Sequence, residues 1–182
     1  MVAATPGPPR DNDAMSALPP LGAPHSLDPR FIPLERLSGL ISNAFVSLGS
    51  LFVLLMAGLG APMPSRLFWA LAVAWVVASL GLVWLSYQWP AVAYRHIAYT
   101  VEADGLQIRR GVFWRTVIDV PRSRVQHTDV SQGPLERRFG LGALVVYTAG
   151  TDHSRVDLGG LAHATAFAIR DHLLPHERDD AV

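Results

Sequence analysis

Histidine and arginine carry whatever chemistry this chain can perform, and their spacing decides what kind. There are seven histidines, His25, His96, His127, His153, His163, His172 and His176. A helical metal pair needs two ligands one turn apart on a shared face, as in HExxH. His172 and His176 have that separation, but Pro175 between them breaks the helix and the shared face with it. His127 and Asp129 lie two apart, on one face of a strand. There they are either a pH-sensitive or metal-binding pair or an ordinary hydrogen-bonded edge. Ser123, Ser131 and Ser154 lack the strand–turn–helix setting of a nucleophile elbow. Gly140 and Gly142 precede a strand instead of joining a strand to a helix, so no phosphate-cradling loop forms. No catalytic residue, cofactor-binding residue or metal site emerges. The chain is expected to be non-enzymatic and to use no cofactor.

Basic surface remains. Residues 93–175 hold ten arginines against eight acids, a net +2, with Arg109-Arg110, Arg115, Arg122, Arg124 and Arg137-Arg138 among them. Arginine suits bidentate phosphate contact, and an anionic leaflet attracts basic side chains at about 1 kcal/mol each. Arg109, Arg110, Arg137 and Arg138 are therefore the candidate contacts to lipid or to a partner. The alternative is solubility, topology and local pairing such as Arg115 with Asp119. Fifteen basic and fifteen acidic residues balance over the whole chain, so charge predicts no nucleic-acid partner. Every basic residue is Arg, and cysteine is absent, which excludes disulfides, zinc–thiolate sites and thiol chemistry.

The elements that must position these residues fall into four parts. Residues 1–29 carry seven prolines and no periodicity, and are expected to form a disordered Pro-rich leader. No apolar segment follows a basic start there, so it does not read as a signal peptide. Met15 is an alternative start.

Residues 30–92 read as a transmembrane helical hairpin. No charge falls between Arg36 and Arg66, nor between Arg66 and Arg95. About 20 apolar residues cross a hydrocarbon core of roughly 30 Å, and Leu37–Gly60 and Leu67–Tyr87 both suffice. Pro62 and Pro64 forbid one continuous helix, while Pro33 and Pro90 flank the spans. Trp84, Tyr87, Trp89 and Tyr94 form an interfacial belt at one end, and Trp69 marks the other. Arginines crowd the outer flanks and only Arg66 sits in the connection, which places both termini in the cytoplasm. Carboxylates are absent within the spans, which argues against proton-coupled transport.

Small residues recur at spacing four on both spans: Gly39, Asn43 and Ser47 on the first, Ala70, Ala74 and Ala78 on the second. Such faces let backbones approach in lipid. Either these two faces meet within the hairpin, or Asn43, the only amide in either span, contacts the helix of another protein.

Residues 93–175 read as a small domain of six or seven antiparallel strands and a closing helix. Ile97, Tyr99 and Val101 alternate with polar or small residues, Asp104-Gly105 makes a hairpin turn, and Leu106 and Ile108 follow. Gly111 permits a reversal. Val112, Trp114, Thr116, Ile118 and Val120 are expected on one face of the next strand, and a further strand runs over about 124–131. In "QGPLERRFGLGALVVYT", Gly133 and Pro134 start one helical turn. Leu135 and Phe139 share its inner side, Gly140 ends it, and "ALVVYT", apolar on both faces, makes a central strand. A helix over about 161–174 closes the domain through Ala162, Ala166, Ile169 and Leu173. A small barrel, or a pair of packed sheets, plugged by that helix fits the pattern. Residues 176–182 form a polar tail.

"ADGLQIRRGV", "VPRSRVQHTDVSQGPLERRFGL" and the "TAG" after an apolar strand, preceded by two spans, resemble the bacterial membrane proteins with a bacterial pleckstrin-homology (PH) domain of the YdbS type, the DUF304 family. The resemblance covers roughly residues 30–174. It implies an α+β membrane protein, with a hairpin followed by a cytoplasmic PH-like antiparallel β-barrel capped by a C-terminal helix. It also implies pairing with a larger membrane protein that carries several such domains, and it brings no catalytic residues. Two functions follow. The first is a module for assembly with partner membrane proteins, a multi-domain PH-like protein or another copy of itself. The alternative is a sensor of anionic headgroups among the membrane lipids.

Overall fold

The computed structural model describes residues 17–60, 64–149 and 155–174. The chain divides into a helical unit, residues 32–93, and a β-rich unit formed by the flanking segments.

Two helices make the first unit, α1 (Phe31–Gly60) and α2 (Ser65–Tyr94), each long and apolar enough to cross a membrane. Both run past the expected span limits. Pro33 sits in the first turn of α1, where its missing N–H costs no helical bond. Pro90, expected beyond the second span, lies inside α2 and is buried. Phe45, Phe52, Leu59, Val77, Leu80 and Trp84 are all more than 60% exposed along the two helices, as side chains facing lipid would be.

The helices are paired by small and polar side chains. A Cβ on Gly58 would come within 2.6 Å of the Phe68 ring. Trp75 Nε1 donates to Ser50 Oγ at 2.9 Å. The Ser47 hydroxyl lies 3.3 Å from Asn43 Oδ1 and 3.5 Å from Ser79 Oγ. A Cβ on Gly39 would meet the Ser86 Cβ at 3.2 Å. Arg36 donates from Nε to the Tyr87 carbonyl at 2.9 Å and lies 3.8 Å over the Tyr87 ring.

Asn43 and Ser47 thus sit on the inner face of the hairpin, and Asn43 is buried. The expected partner face on α2 is a different one. Ala70, Ala74 and Ala78 are exposed, while Phe68, Ala72, Trp75, Ser79 and Ser86 are half-buried. At 100° per residue a stripe displaced by one position points well away from the contact. The glycines and serines of α1 accept the bulk of Phe68 and the polar atoms of Trp75 and Ser79, which an alanine stripe cannot supply. Because the chain is cysteine-free, this register is open to a direct check. Ser47→Cys with Ser79→Cys should oxidise to a disulfide in the membrane, whereas Ser47→Cys with Ala74→Cys should stay reduced; the reverse outcome would refute the pairing.

The β-rich unit is two antiparallel sheets and a helix. Sheet 1 has the order β1 (Pro24–Ser26), β2 (Ile97–Glu102), β3 (Gly105–Arg110), β4 (Thr116–Pro121). Sheet 2 has the order β5 (Val125–Ser131), β6 (Leu141–Thr148), β7 (Arg155–Ala162), with α3 (Pro134–Phe139) between β5 and β6. The closing helix α4 is His163–Leu173. Alternation makes the core: Leu106, Ile108, Ile118 and Val120 from sheet 1 cluster with Leu144, Val146, Val156 and Leu158 from sheet 2, and with Ala166, Ile169 and Leu173 of α4. As "ALVVYT" foretold, β6 is the middle strand of its sheet.

Three expectations change. The leader was expected to be disordered through residue 29, yet Pro24–Ser26 pairs with Ala98–Thr100 of β2, Leu27 is 2% exposed, and Asp28 N donates to Gly160 O at 3.0 Å. Pro24 is the first residue of an edge strand, a position that needs no donor. Met15 and the first sixteen residues lie outside the described ones, as do Pro62, His153, Pro175 and the polar tail. Val112 and Trp114 are not on a strand face, because the reversal at Gly111, φ +124°, delays β4 to Thr116. The closing helix begins two residues late, since β7 continues through Leu161 and Ala162.

Candidate functional site

Antiparallel pairing decides which basic residues meet. Ile97 pairs with Arg110 and Ala98 with Arg109, while Arg109 pairs with Val117 and Arg110 with Thr116. The start of β2, the end of β3 and the start of β4 therefore share one end of sheet 1. An open groove of about 420 Å³ lies there, lined by Arg95, His96, Arg109, Arg110 and Arg115, with no carboxylate in its lining.

The opposite end of sheet 1 is acidic. A cleft of about 270 Å³ there is lined by Glu102, Asp104, Asp119 and Gln107. Asp119 does not pair with Arg115 as expected; its Oδ1 accepts from Gln107 Nε2 at 2.8 Å. Gln107 Oε1 in turn accepts from Arg109 Nε at 2.7 Å, which fixes the Arg109 side chain along the sheet. The sheet thus separates charge along its strands. With no acid among the groove arginines, their fields add and raise the local concentration of anions. Burial, and secondarily the Asp28 carboxylate, pushes the Tyr99 phenol above the usual tyrosine range, so it stays neutral beneath this sheet.

Arg137 and Arg138 are elsewhere. They are exposed on α3, between strands of sheet 2, and neither lines the groove. Glu136 Oε2 accepts from Gly133 N at 2.6 Å to start that helix, and Gly140 in a left-handed conformation, φ +69°, ends it. Leu135 and Phe139 are half-buried, which leaves the two arginines on the wet side.

The histidine candidates also separate. His127 Nε2 lies 2.8 Å from Asp129 Oδ1 on the exposed face of sheet 2. His172 Nε2 is 2.8 Å from the Glu102 carbonyl, and His176 lies outside the described residues. Among the described residues no three metal-binding side chains come together.

The candidates missed in sequence were Arg95, read only as the flank of a span, and His96, read only as one of seven histidines. Their signal was present, because the turns at Asp104-Gly105 and Gly111 together put residues 95–98, 109–111 and 115–117 at one sheet end.

Two apolar helices, preceded by one strand of a two-sheet sandwich and followed by the other six described strands and a closing helix, define a transmembrane protein with a PH domain. The chain belongs to the bacterial PH domain family, whose model matches residues 43–176. It is 37% identical over 86 residues to the UPF0699 transmembrane protein YdbS of Bacillus subtilis (strain 168), a match that covers 44% of this chain and 54% of that protein. The chain thus spans about half the length of this curated relative. No solved structure matches it. The fold is the expected one, with the barrel resolved as two packed sheets. The family is not a known enzyme family.

Proposed function

We propose that the protein is a non-enzymatic sensor of anionic lipid headgroups, held at the cytoplasmic face of a bacterial inner membrane by a two-span anchor. The observation that carries this reading is the polarity of sheet 1, basic at one end and acidic at the other. Arg95 directly follows Tyr94, the last residue of α2. Consecutive Cα atoms are about 3.8 Å apart, so one arginine of the basic end is tethered directly to the end of α2. Phosphate headgroups at the membrane surface meet Arg95, Arg109, Arg110 and Arg115, and the acidic end is kept away by like charge. Assembly was the leading expectation from sequence alone. The gathering of Arg95, Arg109, Arg110 and Arg115 at one sheet end favours the lipid reading.

Positive-inside asymmetry supports two passes with both termini in the cytoplasm. In intact cells, Arg66→Cys should react with an impermeant thiol reagent and Arg110→Cys should not. Labelling of Arg110→Cys alone would invert the topology. For the lipid itself, the full chain in nanodiscs of mixed phosphatidylcholine and phosphatidylglycerol should hold spin-labelled phosphatidylglycerol several-fold over phosphatidylcholine at low salt. That preference should shrink as ionic strength rises; equal occupancy at every salt concentration removes the reading.

Assembly with a partner membrane protein, either one with several PH-like domains or a second copy of this chain, is the second reading. What favours it is the exposed small-residue stripe Ala70, Ala74 and Ala78 on α2, at a spacing that lets another helix approach closely. It predicts a membrane partner that survives purification in mild detergent, and a clean monomer at native expression levels would count against it.

A further inference from the structure

The loop between β3 and β4 rises at the basic end of sheet 1 and carries Phe113 and Trp114, 80% and 87% exposed. Outside α1 and α2, only Leu21, Phe113, Trp114 and Val117 among the described residues are exposed large hydrophobics. Three of the four therefore sit at this one place, since Val117 also lines the groove. The loop is tight. Gly111 has φ +124°, and a side chain there would collide with the Trp114 carbonyl. Two bulky rings are thus held out on a constrained reversal, where a soluble domain would normally turn with polar residues. An aromatic tip rimmed by basic groups is the pattern of a surface that enters the headgroup region of a membrane.

The geometry points to Phe113 and Trp114 as an interfacial anchor that inserts into the leaflet from which α2 emerges. The occupant is a lipid surface and not a protein groove, for two reasons. The rim of the tip is cationic with no carboxylate, which complements anionic headgroups. Arg95, on the same rim, is bonded directly to the end of α2, so this rim is covalently tethered to a helix long and apolar enough to cross a membrane. This extends the reading of the groove as a headgroup site, on which the choice of leaflet rests. Headgroups neutralise the arginines while the rings take the depth just below, which fixes the domain at one height on the membrane.

The absence of cysteine makes the test clean. The full chain bearing Trp114→Cys, labelled with an environment-sensitive fluorophore, is reconstituted in neutral and in phosphatidylglycerol-containing bilayers. A label at Ala103→Cys, exposed at the acidic end, serves as the aqueous reference. In anionic bilayers the label at 114 should emit to the blue of the reference. Lipid with a shallow nitroxide should quench it, and iodide should quench it several-fold less. Phe113→Cys should behave alike, which guards against an effect peculiar to one substitution. Strong iodide quenching with no nitroxide quenching overturns the anchor, and so does shielding from both quenchers, which means protein covers the tip. If the label is aqueous while phosphatidylglycerol is still preferred, the anchor fails and the headgroup reading stands. A label inserted equally in neutral and anionic bilayers keeps the anchor, and the headgroup reading then stands or falls with the preference for phosphatidylglycerol.

Discussion

Neutralising Arg109, Arg110 and Arg115 together, as Arg→Gln, is expected to abolish the preference of the full chain for anionic over zwitterionic lipid. At about 1 kcal/mol for each basic group near an anionic surface, three lost charges amount to roughly 3 kcal/mol, on the order of a hundredfold in relative affinity at low salt. The effect should fade toward physiological ionic strength, where the Debye length falls to about 8 Å. Arg137→Gln with Arg138→Gln is the matching control. Those side chains carry the same kind of charge but lie on α3, outside the groove. If the pair on α3 costs as much per charge as the three in the groove, the protein responds to net charge and the groove is not a site. All these arginines are exposed, so folding should survive each set, and a loss of lipid preference can be read as a loss of contact.

Leu144→Ala should act on the fold instead. Leu144 has no exposed surface and lies in the middle strand of sheet 2, paired with Val130 on β5 and Leu158 on β7. Removing a buried leucine side chain from such a site costs about 2–5 kcal/mol, through lost transfer energy and the cavity left behind. A domain with a total stability of about 5–15 kcal/mol becomes marginal at that price. Hydrogen–deuterium exchange of the full chain in detergent should show the amides of β5, β6 and β7 losing protection at much lower urea, while those of α1 and α2 stay protected. A loss below about 1 kcal/mol would mean that the two sheets do not pack across Leu144 as described.

Much of the architecture was legible because its signals are local. Uncharged runs of span length, strands alternating from Ile97 onward, the Asp104-Gly105 turn and the Gly133-Pro134 helix start each depend on neighbouring residues only. The motif around Gln132–Gly140 carried the family resemblance and proved to be a structural junction, with Glu136 and Gly140 closing one turn of helix. Where sequence reading failed, the deciding contact was distant. The segment before α1 reads as a Pro-rich leader because its order comes from β2, more than seventy residues away, and from Gly160. The α2 face was misassigned for the same kind of reason. Ala70, Ala74 and Ala78 have an ideal spacing, but which stripe of a helix meets its neighbour depends on the shape of that neighbour, and Gly58 and Ser50 on α1 select Phe68 and Trp75.

What the sequence by itself determined is the kind of molecule: two helices long and apolar enough to cross a membrane, and a β-rich domain closed by a helix. Hydrophobic length, periodicity and turn chemistry act over a few residues, so they can be read in order along the chain. Only the tertiary structure decided which of the many arginines work together. Arg95, Arg109, Arg110 and Arg115 are spread over twenty-one positions, and they converge because three antiparallel strands begin or end at one place. Arg137 and Arg138, the more conspicuous pair in sequence, are left apart on the other sheet. Charge adds through space and not along the chain.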